Sequence, residues 1–213
     1  MFKSILMISA TLALSYCKSS YKSNTAEFRP TQFDSVIRDI PKNKYGRPVL
    51  FYNNILKTGD KLGIGSLNNG YDSIQIRIWY NFGRTDTSQV LIIGRNATEW
   101  FEKIIKFVYI NNNGEINVLS TESTNPNSGW INLLTMIDHS NIMKLPDQSK
   151  IAEYPDYTDG KGIIIETSTS RLYRIYHYQE PFLNQEHFSN AADIVKFLHY
   201  IKSEFDLKYV TEI

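Results

Sequence analysis

Cysteine is almost missing from this chain: of 213 residues only Cys17 carries a thiol. That excludes an internal disulfide framework and any cysteine-rich zinc site. A surplus of charge is missing too, since 23 Lys and Arg face 22 Asp and Glu. Holding nucleic acid by displacing its counterions needs a basic excess, so no nucleic-acid partner is expected. No apolar run approaches the roughly 18 residues of a membrane-crossing helix. Phosphate-cradling glycine motifs are absent, and Gly63-Ile64-Gly65 lacks the third glycine of a dinucleotide fingerprint, so it reads as a loop. Lys57-Thr58-Gly59 and Ser19-Ser20-Tyr21-Lys22 spell fragments of the serine β-lactamase signature, but the Ser-Asp-Asn that must converge with them is absent; both are chance matches. The histidines His139, His177, His187 and His199 form no HExxH and no close pair, so no metal and no cofactor is expected. Asp147, Glu153, Asp156 and Asp159-Gly160 lack the alternate-residue spacing of a calcium loop and read as a surface loop ending in a turn.

Met1–Tyr16 has the grammar of an export signal. Lys3 gives a short positive end, Ile5–Leu14 is apolar or small, and Cys17 follows at once. Ten helical residues reach about 15 Å, roughly half the hydrocarbon thickness of a bilayer, so this segment reads as a leader and not as an anchor helix. Residues 18–32 are polar without apolar period and read as a flexible tether, which puts the start of the folded unit near Phe33. Three parts result: leader 1–16, Cys17 with its tether to 32, and one domain over 33–213. Losing the leader removes only Lys3 among the charged residues and leaves basic and acidic groups equal at 22 each.

Inside the domain, apolar residues at period two dominate. Ile74-Gln75-Ile76-Arg77-Ile78-Trp79-Tyr80 predicts a half-buried strand with its isoleucines inward. Val90–Ile93 predicts a buried strand. Ile104–Ile110 and Ile116–Leu119 predict a hairpin across Asn112-Asn113-Gly114. A competing helix starts at Asn96, because Asn96-Ala97-Thr98-Glu99 mimics a capping box and Trp100, Ile104 and Val108 share helical spacing. Gly162–Thr167 and Arg171–Tyr178 predict a second hairpin around Ser168-Thr169-Ser170. Trp130, Leu133, Leu134 and Ile137 predict one helix. Ile194, Leu198, Ile201 and Phe205 predict another, with its cap at Asn190-Ala191-Ala192-Asp193. Strand pairs followed by helices, without regular alternation, favour an α+β domain: a mainly antiparallel sheet with about two helices packed on it.

The most suggestive surface is aromatic. On the strand Arg171–Tyr178, Arg174, Tyr176 and Tyr178 share one face and offer apolar area with hydrogen-bond handles, a candidate interaction surface for a protein or glycan partner. The opposite face carries Tyr173, Ile175 and His177. No catalytic constellation stands out. A hydrolase would have to draw on carboxylates such as Glu166 and Glu180, brought about 5–10 Å apart by folding.

Leu14-Ser15-Tyr16-Cys17 resembles the lipobox of bacterial lipoprotein precursors, with Tyr16 where Gly, Ala or Ser is usual. The resemblance implies acylation of Cys17 as the first mature residue and attachment to a membrane. Lys18 in place of Asp implies the outer membrane of a two-membrane envelope. Pro126-Asn127-Ser128-Gly129-Trp130, Leu145-Pro146-Asp147, Asp159-Gly160, Tyr173-Arg174-Ile175-Tyr176 and Pro181 give the last ninety or so residues a look similar to small uncharacterised bacterial lipoproteins. That likeness implies a location and carries no activity. The expectation is a lipid-anchored, non-catalytic binding or interaction module, with a motif-free hydrolase or an immunity or inhibitor protein as alternatives.

Overall fold

A computed structural model describes residues 35–82, 87–110, 114–157 and 161–207. Cys17, its leader, the tether and Asp159-Gly160 lie outside the described residues. Seven strands form one sheet in the order β1-β7-β6-β2-β3-β4-β5. They are β1 (Ile37–Asp39), β2 (Ile74–Tyr80), β3 (Ser88–Arg95), β4 (Trp100–Tyr109), β5 (Ile116–Glu122), β6 (Gly162–Thr169) and β7 (Leu172–Gln179). Every pairing is antiparallel except that of β1 with β7, so the α+β class and the mainly antiparallel sheet hold. Helices α1 (Leu50–Lys61), α2 (Trp130–His139), α3 (Pro181–Asn184) and α4 (Ser189–Glu204) complete the domain.

The sheet is covered on both sides. Residues of α2 and α4 pack with Ile76, Ile78, Leu91, Ile93, Ile104 and Ile165 on one face. Tyr52 and Ile55 of α1 pack with Trp79, Val90, Ile92, Ile105 and Ile175 on the other. The expectation of a half-buried β2 is therefore corrected: Gln75, Arg77 and Trp79 are as buried as the isoleucines. Arg77 survives there because its charge is answered. Its Nη1 and Nη2 donate to the carbonyls of Gly65 and Ile64 at 2.8 and 2.7 Å, and its Nε donates to Gln75 at 2.9 Å. Glu166 lies 4.0 Å from Nη1 and accepts from Trp79 Nε1 and the Tyr173 hydroxyl at 2.8 and 2.9 Å. The glycine loop thus turns carbonyls toward a cation instead of amides toward a phosphate.

Helix α1 has no counterpart among the sequence expectations. Its N-cap is Val49, with no side-chain cap, and Gly59 sits in its last turn. These two features cost about 1 kcal/mol each. Burial of Tyr52 and Ile55, worth about 2 kcal/mol apiece, offsets them. Gly59 also has a packing role, since a Cβ there would lie 3.4 Å from the Gly65 carbonyl oxygen and 3.9 Å from Arg77 Nη1.

Strand, not helix, follows Asn96. Its Oδ1 accepts from the backbone N–H of Thr98 and Glu99 at 2.9 and 2.8 Å, while its own N–H donates to the Glu99 carbonyl. The apparent capping box is a hairpin turn between β3 and β4, and Ile104 and Ile105 go to opposite faces of the sheet. Helix α4 starts at Ser189 after Phe188, so the cap expected at Asn190 is not used. Tertiary burial of Ala191, Ile194, Leu198 and Ile201 fixes that helix instead.

Because β1 pairs with β7 only over Leu172–Arg174, the outer side of β7 beyond Arg174 has no strand beside it among the described residues. The chain fills the gap with side chains. Asp147 Oδ2 accepts from the His177 N–H at 2.9 Å, and Gln148 Oε1 accepts from the Gln179 N–H at 2.6 Å. The 3-10 turn Gln148–Lys150 lies along this edge. Exposed edge donors invite pairing with another chain, and here they are occupied.

Candidate functional site

The three residues expected to form an interaction surface do not form one. Tyr176 and Tyr178 are buried, and their hydroxyls donate to the carbonyls of Ile142 and Pro146 at 2.6 and 2.7 Å. Arg174 donates to Met143 O and to Leu145 O, and its Nε meets Asp39 at 3.0 Å. All three satisfy the loop that follows α2, which lies against β7. The pattern of alternate residues is as expected, and the partner of that face is the chain itself. Glu166 and Glu180 are not brought together either. Glu166 is in register with Ile175, and Glu180 stands five residues farther along, roughly 16 Å at strand rise. Glu166 is buried in the Arg77 cluster, whereas Glu180 accepts from the Lys161 N–H.

The other face of β7 leads to a site. His177 Nδ1 lies 2.9 Å from Asp147 Oδ2, and Asp147 Oδ1 accepts from the Ser149 N–H at 3.0 Å. Burial alone would raise the Asp147 carboxyl, yet its hydrogen bonds and the facing His177 outweigh that and hold it below the ordinary carboxylate range. Asp147 is 2% exposed, so the reading of the acidic stretch as surface is corrected at this residue. A carboxylate at Nδ1 selects the tautomer with the proton on that nitrogen and leaves Nε2 as the available one. The imidazole is held from the side by Phe51, with ring centroids 4.5 Å apart at 50°.

His177 lines an open groove of about 740 Å³. One wall is the start of α1, with Val49, Leu50, Phe51 and Asn54. The opposite wall comes from Gln148, Ser149, Tyr154 and Asp156, and Phe82 at the end of β2 also contributes. The lip carries Lys42, Asn43 and Lys44. A compact turn holds this lip. Asn43 Oδ1 accepts from the N–H groups of Tyr45 and Arg47 at 2.9 and 3.2 Å, Asn43 N–H donates to Arg47 O, and Lys42 bridges to Pro48.

Chemically, the groove offers an oriented imidazole, two ammonium groups, amides and aromatic faces. Ser149 lines it as well, but among the described residues no hydrogen bond joins its hydroxyl to His177, so the pair Asp147–His177 is not a nucleophile-bearing triad here. Among the described residues no three potential ligands cluster for a metal. Of the site's members, the sequence singles out Asp147 and Asp156 together in one acidic stretch and His177 apart from them, among the scattered histidines. The thirty-residue separation of Asp147 and His177 hides the pair. Compared with protein-family models, with curated proteins and with solved structures, the chain matches none, so the groove is read from its own geometry.

Proposed function

We propose that this chain is a lipid-anchored protein of the bacterial cell envelope whose domain binds a ligand, without covalent chemistry, in the groove around His177. One observation carries the binding half: a buried carboxylate fixes the ring of His177 at the wall of an open groove of about 740 Å³. Side chains held in place before a ligand arrives lose little freedom when it binds. The anchor half is supported by the leader and by Cys17 at its end. Two or more acyl chains on one residue hold a protein stably at a bilayer, since each buried CH₂ is worth about 0.8 kcal/mol. The outer membrane fits Lys18.

Growing cells that express the full chain in the presence of labelled palmitate tests the anchor. Label on the wild-type chain, its loss in Cys17→Ala, and partition of the labelled chain into a detergent phase are expected. An unlabelled chain in the aqueous phase overturns this half. The Asp147–His177 pair gives the hydrolase alternative its one structural support, because an imidazole backed by a carboxylate can take a proton from water. Release of p-nitrophenol from p-nitrophenyl acetate separates the readings. The binding reading expects equal rates for wild type and His177→Gln, and a rate that collapses in the variant would favour the hydrolase.

A further inference from the structure

We propose that the ligand of this groove is an acidic saccharide, a sugar chain bearing carboxylate or phosphate groups. The inference rests on the groove being the binding site and names what it is built to hold. Three aromatic side chains face the groove partly exposed, and each is propped by another ring: Phe51 on His177, Phe82 edge-on to Trp79 at 5.5 Å, and Tyr154 edge-on to Tyr178 at 5.7 Å. Rigid, flat apolar faces beside hydrogen-bonding groups suit a pyranose ring, which has an apolar C–H face and a polar rim.

Charge narrows the class. Lys42 and Lys44 on the lip make no ion pair with any of the described residues, and Asp156 is the one carboxylate that faces them on the lining. The Nε2 of His177 has no partner among the described residues. Two ammonium groups on the lip outnumber the one lining carboxylate, which favours a negatively charged ligand over a neutral one. An extended peptide is disfavoured by the sheet edge. A bound strand would need the N–H groups of His177 and Gln179, and Asp147 and Gln148 already hold them.

The test uses the full chain in detergent and calorimetric titration with three probes: tetragalacturonate, the neutral maltotetraose, and inorganic phosphate. Tetragalacturonate is expected to bind at least tenfold more tightly than either of the others. The double variant Lys42→Glu/Lys44→Glu, altered only at exposed positions, is expected to lose at least tenfold, and Lys196→Glu on α4, across the sheet, to lose nothing. Equal affinity for maltotetraose, lost with Phe51→Ala, overturns the acidic class and leaves the groove as the site. Phosphate binding as tightly as the oligosaccharide overturns the saccharide class. Binding of tetragalacturonate that neither Lys42→Glu/Lys44→Glu nor Phe51→Ala weakens overturns the proposal and the groove reading together. Failure of all three probes to bind overturns the ligand class.

Discussion

The buried pair Arg77–Glu166 gives the sharpest test of how this sheet is held. Both side chains are almost fully excluded from solvent, at 2% and 1% exposure. Burial pushes the Arg77 guanidinium down from its usual value, and Glu166 is the largest influence that opposes it. Glu166→Gln removes the countercharge, although its amide can still accept from Trp79 Nε1–H and donate to the Tyr173 hydroxyl oxygen. Arg77→Met strands the Glu166 charge and frees the carbonyls of Ile64 and Gly65. Each single change is expected to cost about 3–5 kcal/mol, the penalty of an uncompensated buried charge. At roughly 2–4 °C per kcal/mol for a chain of this size, the melting temperature falls by about 6–20 °C. The double variant Arg77→Met/Glu166→Leu leaves no charge behind, so it is expected to lose less than the two single losses together, by on the order of 2 kcal/mol. Urea unfolding of the wild type, Arg77→Met, Glu166→Leu and Arg77→Met/Glu166→Leu closes the cycle. If Arg77→Met and Glu166→Leu, measured singly, sum to the loss of the double variant, the two groups do not act as a pair and the reasoning fails.

A Cβ on Gly94 would stand 2.5 Å from Phe101 Cζ, so Gly94→Ala is expected to destabilise by about 1–3 kcal/mol in a thermal melt, and a neutral result would show that the ring yields freely. Asp147→Ala leaves two backbone N–H groups and the His177 ring without their acceptor and is expected to cost about 2–4 kcal/mol. The Asp147 carboxyl is depressed from 3.8, so its contribution is present above that pH and disappears as pH falls through its lower folded value. In acid unfolding the variant should therefore have the flatter profile below 3.8, and parallel curves would contradict the assignment. Glu102 is the opposite case, because burial raises its carboxyl to about 7. The folded chain then keeps a proton that the unfolded chain has lost between pH 4.5 and about 7, so stability declines across that window as pH rises. Glu102→Gln is expected to unfold at a higher urea concentration than wild type at pH 8 and at about the same one at pH 4; a pH-independent difference would refute this.

The strands were legible because period two and turn residues are local signals. The β6–β7 hairpin closes where expected, with Thr169 Oγ1 accepting from the N–H groups of Arg171 and Leu172. What lay outside reach was the identity of the layer on each face. A buried Arg77 looks like a solvent-facing residue until Ile64 and Gly65 are known to cross over it. Tyr176 and Tyr178 look like a recognition face until the loop after α2 is known to lie on them. Helix α1 escaped notice because Asn53, Asn54 and Gly59 dilute its pattern, although Tyr52, Ile55 and Gly59 keep helical spacing. The groove was illegible for a related reason. Its walls come from residues 42–54, from Phe82, from 148–156 and from His177, segments that only the sheet order brings side by side.

The margin of the sheet where the chain first joins it has a mechanical consequence. Three residue pairs attach β1 to β7, and Asp39 is clamped by Lys150 and Arg174 at 3.0 Å each. Tension applied through the residues ahead of position 35 therefore meets this short parallel ladder before any other. A pull along the strand axis loads its three pairs together in shear, and β7 passes that load to the antiparallel strands behind it. That makes β1 the fuse: while it holds, the groove lip at Lys42–Lys44, three residues beyond Asp39, is shielded from the pull, and once it yields that lip is the next part to be loaded.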